Sequence, residues 1–128
     1  MRNAKQIRMT KEQNSKQYDL EDRTLAFAKE VRQFVRNLYK DIANIEDGKQ
    51  LIKASGSVGA NYIEANEALS KKDFVMRIKI CRKEAKESRF WLRLVQTQDP
   101  VNERKRKELE NEATELMNIF GAILRKSQ

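Results

Sequence analysis

Residues 70–95 read SKKDFVMRIKICRKEAKESRFWLRLV and contain neither Gly nor Pro. They open on Ser70-Lys71-Lys72-Asp73, a capping-box pattern with Asp in place of the usual Glu, so a helix is predicted from Ser70 to about Gln96. At about 100° per residue, its side chains sort into three arcs. Phe74, Ile78, Cys81, Ala85, Ser88, Leu92 and Val95 form the stripe that a helical bundle buries, with Cys81 as a small core hydrophobe. Met76, Ile80, Trp91 and Leu94 lie on a second face, with Phe90 at its margin. Lys72, Lys79, Arg82, Lys83, Lys86, Arg89 and Arg93 lie on a third, with Lys71 near them. The cationic arc spans about a third of the circumference and contains no acid; only Arg77 falls elsewhere.

One apolar stripe suffices for a helix in a monomeric bundle. The second apolar face carries Trp and Met, residue types favoured at interface centres, and predicts self-association. Glu84 and Glu87 share that region and are expected to meet arginines of a neighbouring copy. A solvated helix face normally mixes signs, because like charges three or four residues apart repel. The one-sign arc therefore predicts contact with a polyanion, RNA or DNA, through its backbone. Phe90 alone interleaves with the cations, which gives little support to base stacking.

The flanking segments continue the helical pattern. Asp99-Pro100 reads as an N-cap and first residue of a fourth helix that ends near Lys126, with Leu109, Ala113, Leu116, Met117, Phe120, Ile123 and Leu124 on its stripe. A first helix is predicted from Asp22 or Thr24 to Ile42, on Phe27, Val31, Phe34, Val35, Leu38 and Ile42. Residues 44–48 are then a connection. A second helix spans about Asp47 to Leu69, with Leu51, Ser55, Val58, Tyr62, Ala65 and Leu69 inward and Ile52, Gly56, Gly59 and Ile63 beside them. Glycine costs about 1 kcal/mol in a helix interior, so Gly56 and Gly59 are expected to admit the close approach of another helix. Residues 1–18 are polar and basic and are expected to form a flexible tail, leaving residues 19–128 for the bundle. The reading is all-α: an antiparallel up-and-down four-helix bundle.

The 128 residues suit one domain, and four Gly with one Pro argue against the turns of a sandwich or barrel. The net charge is +8. Residues 71–93 hold nine basic residues against three acids, and residues 1–16 hold five against one. The rest of the chain is near balance. There is no His and one Cys, which excludes His-based catalysis, His-ligated metal sites, an internal disulfide and Cys-cluster metal sites. No phosphate-binding glycine loop is present. Glu64 and Glu67 lie opposite the core stripe and read as solvated. No catalytic residue, cofactor, metal or small-molecule substrate is expected. With no apolar run of about 20 residues and no leader-like segment, a cytoplasmic protein without a membrane partner is expected.

Certain stretches resemble a known family. They are Asp19-Leu20-Glu21-Asp22-Arg23-Thr24 with Phe27-Ala28, then Ser55-Gly56-Ser57-Val58-Gly59-Ala60-Asn61-Tyr62-Ile63-Glu64-Ala65. Ser70-Lys71-Lys72-Asp73-Phe74, Lys83-Glu84-Ala85-Lys86-Glu87-Ser88 and Phe90-Trp91-Leu92-Arg93-Leu94 follow in order. The chain is similar, from about residue 19 to its end, to the four-helix-bundle proteins of the bacterial 23S rRNA intervening-sequence (S23) family. The resemblance implies a bundle assembled as a ring-shaped homopentamer, encoded in some members within an rRNA insertion. Similar pentamers serve as nucleic-acid-binding accessory factors to the reverse transcriptases of diversity-generating retroelements. The family brings no catalytic residues. The function expected is a non-enzymatic homo-oligomer that binds nucleic acid; the alternative is a structural or adaptor oligomer that binds another protein.

Overall fold

The structure is a computed structural model that describes residues 11–128, with side chains from residue 20 onward. It consists of α1 (Lys11–Arg36), α2 (Ile42–Asn66), α3 (Lys71–Leu94) and α4 (Pro100–Lys126). Among the described residues there is no strand. Each helix packs against two others in the cyclic order α1–α2–α3–α4, and among the described residues the diagonal helices make no backbone approach. Cross-helix pairs run in opposite directions along each seam. Glu21 meets Asn66 where Arg32 meets Ile52, and Arg77 meets Asn61 where Gln96 meets Asn44. The helices thus alternate up and down.

The two later helix starts are where the sequence places them. The Ser70 hydroxyl accepts from the Asp73 N–H at 3.1 Å, and the Asp99 carboxylate accepts from the Asn102 N–H at 2.8 Å, with Pro100 in the first turn. Each cap satisfies an N–H that has no partner within its helix. The first connection differs from expectation. Asp41 adopts an extended backbone and its carboxylate accepts from the Asn44 N–H at 2.8 Å, so Ile42 opens α2 instead of closing α1. Ile42 is 82% exposed, and residues 44–48, predicted as a connection, lie inside α2. Leu69 is 98% exposed because α2 stops at Asn66 and the chain turns toward the Ser70 cap. At the other end, α1 begins at Lys11, so residues 11–18 of the expected tail are helical. Residues 1–10 of that tail lie outside the described residues.

The core is filled by Phe27, Phe34, Leu51, Ile78, Leu92 and Phe120 among others, all essentially fully buried. Tyr62 and Phe120 meet across the α2–α4 diagonal with ring centroids 5.9 Å apart. The α2–α3 seam is lined with small buried side chains, Ala54, Ser55, Ala65, Cys81, Ala85 and Ser88. The buried hydroxyls bond back to their own helices: Ser55 donates to the Ile52 carbonyl at 3.2 Å and Ser88 to the Glu84 carbonyl at 2.8 Å. This removes the penalty for burying them. The α1–α4 seam is polar at its rim. The Arg23 guanidinium donates to both oxygens of Glu112, at 2.6 and 2.8 Å, and also to Glu115; these carboxylates push its pKa up. Lys105 donates to Glu30 at 3.0 Å.

Candidate functional site

The predicted core stripe of α3 faces inward. Ile78, Cys81, Ala85, Ser88, Leu92 and Val95 are buried, and Phe74 is half-buried. Burial pushes the Cys81 thiol up to about 12, which keeps it protonated and unreactive. With that stripe fixed inward, the other two arcs must point outward, and they flank opposite seams.

The cationic arc lies toward α4. Lys72, Lys79, Arg82, Lys83, Lys86 and Arg93 are exposed and Arg89 is half-buried. Arg82 leans over α4 beside Gly121, where a Cβ would lie 3.7 Å from its Nε. Arg93 differs from the rest: its Nε lies 3.5 Å from Glu110 of α4. That pairing joins distant parts of the chain and has no signal on the α3 wheel. Lys72, Lys79, Arg82, Lys83, Lys86 and Arg89 take part in no salt bridge or side-chain hydrogen bond among the described residues. Lys71, Lys72 and Lys79 also line a shallow groove floored by Val75 and Met76, where the end of α4 passes the start of α3.

The second apolar face lies toward α2. Met76 and Leu94 are nearly half exposed and Phe90 is 56% exposed. Ile80 is half-buried, and half-buried Trp91 packs on the margin of the core. Phe90 stands edge-on to Trp91, with ring centroids 5.0 Å apart. Trp91, Glu84 and Glu87 line a cleft with Gln50, Lys53 and Ser57 of α2. The Glu84 carboxyl is held above the ordinary carboxylate range, first by burial and then by Glu87; Lys83 and Lys53 oppose the shift.

The two glycines of α2 differ in what they admit. A Cβ on Gly59 would lie 2.9 Å from Thr24 Oγ1 and 3.2 Å from Thr24 Cβ, so Gly59 lets α1 approach. Thr24 is itself buried and bonded to the Glu21 carbonyl at 3.0 Å, so it has no room to yield. Gly56 instead lies under the Arg32 guanidinium, whose Nη2 would be 3.1 Å from its Cβ. That neighbour is the end of a flexible side chain, not the backbone of another helix. Sequence reasoning also missed a polar lock at the end of the bundle. Buried Asn44 donates to the carbonyls of Tyr39 and Gln96, at 3.0 and 2.8 Å, and accepts from the Gln96 N–H at 3.0 Å. The Asp41 cap three residues earlier is the signal that would have placed Asn44 on a helix.

The fold has a counterpart among known proteins. The model of the 23S rRNA-intervening sequence protein family matches residues 16–122. The chain belongs to that family. A crystal structure at 1.70 Å of a protein of unknown function from the S23 ribosomal protein family, from Bacteroides thetaiotaomicron, is similar in fold. It shares 28% identity over 81% of this chain and 96% of its own, with a TM-score of 0.69. A comparison with curated proteins returns no match. In this member of the intervening-sequence family, no helix among the described residues is long and apolar enough to cross a membrane.

Proposed function

We propose that this member of the 23S rRNA-intervening sequence family is a non-enzymatic, ring-forming homo-oligomer, a pentamer as the family resemblance implies. It binds the backbone of RNA or DNA in the cytoplasm through the cationic face of α3. One observation carries the reading: six exposed or half-exposed cations on one helix face have no salt-bridging acid among the described residues. A surface of this kind raises the free energy of the isolated protein through self-repulsion and is relieved by a polyanion. A ring multiplies it by the number of copies, so that weak contacts add along one strand. The exposed apolar face of α3 supports the oligomeric part independently of any nucleic acid.

The test is fluorescence anisotropy of the full chain with an rRNA fragment and a scrambled RNA of equal length, titrated with salt. Similar affinities for both are expected, falling linearly with the logarithm of salt concentration. Absence of binding to either RNA and to duplex DNA at low salt would overturn the nucleic-acid reading and favour the adaptor oligomer. Light scattering on the same samples tests assembly, and a monomer at micromolar concentration would overturn that part.

A further inference from the structure

Two apolar surfaces of the bundle carry opposite charges at their centres. On the outer face of α3, Met76 and Ile80 lie on one side of Glu84 and Glu87, and Trp91 and Leu94 on the other. Among the described residues neither acid forms a salt bridge, although Lys53 of α2 lines the same cleft and offsets part of their charge. The second surface is the outer groove between α1 and α2. Leu25 and Ile63, 53% and 52% exposed, stand at one end of it. Tyr39 and Ile45, 60% and 43% exposed, stand at the other, over a depression lined by Val35 and Ile52. Arg32 lies between them, across the gap left by Gly56. Its guanidinium donates to the carbonyls of Ala28 and Ile52, at 3.1 and 3.4 Å. It has no carboxylate partner among the described residues, and a guanidinium has further N–H groups to offer. Lys40 adds positive charge at the Tyr39 end, where Lys49 is paired with Glu46 at 3.5 Å.

We infer that the outer face of α3 in one copy seats in the α1–α2 groove of the next, with Glu84 and Glu87 of the first meeting Arg32 of the second. This rests on the oligomeric part of the function proposed above. Two bland surfaces would leave the choice of partner open, but these match in pattern: apolar ends around an acidic centre against apolar ends around a basic one. Either surface against its own copy would bring like charges together. The contact is therefore head-to-tail, not two-fold. The two surfaces lie on adjacent sides of the bundle and share α2 as their common edge. In a square bundle each docking step then turns the chain by about a quarter of a circle, and such a series closes into a small ring. The Lys79–Lys86 side of α3 stays outside the contact in every copy, which keeps the cationic face open.

Sedimentation velocity of the full chain at micromolar concentration tests the pairing, with circular dichroism as the check on folding. Glu84→Arg with Glu87→Arg is expected to raise the concentration needed for assembly by about tenfold or more, and Arg32→Glu to do the same. All three substitutions together are expected to restore assembly. If the wild type assembles and each one-sided reversal assembles equally well, this pairing is wrong while the oligomer stands. If the wild type is monomeric throughout, the oligomeric reading falls and the pairing with it. Oxidation of variants with one added cysteine gives a readout that does not depend on charge, since buried Cys81 stays silent. Glu84→Cys mixed with Arg32→Cys is expected to yield a covalent dimer that neither variant forms alone. A dimer from Glu84→Cys alone would show a two-fold contact and overturn the inference.

Discussion

Residues 104–107 of α4, Arg-Lys-Arg-Lys, are as dense in cations as any part of α3. The two stretches nevertheless do different things. In α4, Lys105 reaches Glu30 of α1 at 3.0 Å and Glu108 at 3.7 Å. Arg106 holds Glu103 at 2.8 Å and Glu110 at 3.0 Å, and donates to the Leu92 carbonyl of α3 at 3.2 Å. Lys105 and Arg106 thus spend their charge inside the fold, while Arg104 and Lys107 beside them form no salt bridge among the described residues. On α3, six of the seven predicted nucleic-acid-binding residues have no such acid. Cation density along a sequence therefore does not mark a polyanion surface. A set of six cations gathered on one face without neutralising partners does.

The largest effect expected from this contrast is on binding. Lys79→Glu, Lys83→Glu and Lys86→Glu together should weaken RNA binding by about a hundredfold or more at moderate salt, with helicity and assembly unchanged. Arg104→Glu with Lys107→Glu, on the exposed side of α4, should weaken it by only about threefold. Equal losses from the two sets in anisotropy titrations would break the comparison. Replacing the same α3 lysines by Gln one at a time should lower the salt slope by about 0.7 to 0.9 for each phosphate that is no longer neutralised. An unchanged slope would place the binding surface elsewhere.

Stability should respond in the opposite sense. Arg106→Ala removes one bond to α3 and two ion pairs within α4 from a mostly buried side chain, and should cost about 1–2 kcal/mol in denaturant unfolding, with RNA affinity unaltered. The smallest effect concerns acid. The Arg106 guanidinium, and then the Thr97 hydroxyl at 2.7 Å, hold Glu103 down to about 2. Since its unfolded value is about 4.3, this carboxylate stabilises the fold above that pH, and the contribution fades as pH falls toward 2. An NMR titration of the Glu103 carboxyl should show the low value in the wild type and a rise toward the ordinary range in Arg106→Ala.

Much of the fold was legible in the sequence, where the governing interactions are local. The Ser70 and Asp99 caps, the α3 core stripe and the burial of Cys81 follow from residue spacing alone. The Asp41 cap was equally local, but the apolar periodicity that runs from Phe34 through Leu38 to Ile42 masked it. Leu38 does reach the core, from a turn instead of a helix. What the sequence could not supply was the pairing of residues far apart in the chain. Arg93 shares a face with Lys86 on the helical wheel, yet Glu110 claims it from α4. Gly56 and Gly59 are three residues apart on one face, yet one faces a movable guanidinium and the other a buried threonine. The groove that Leu25 and Ile63 border exists only once α1 and α2 are side by side.

The uneven seams of the bundle also set an order of events. The most extensive seams are α2 against α3 and α3 against α4, between helices consecutive in the chain and joined by short loops. Among the described residues the seam between α1 and α4, the first and last of the four helices, is the least extensive. Contacts of short sequence separation cost little loop entropy and form early. Helices α2 to α4 are thus expected to form first, with α1 docking last. Hydrogen exchange is expected to show the amides of α1 exchanging through detachment of that helix alone, and those of α3, enclosed on both flanks, only when the whole bundle opens.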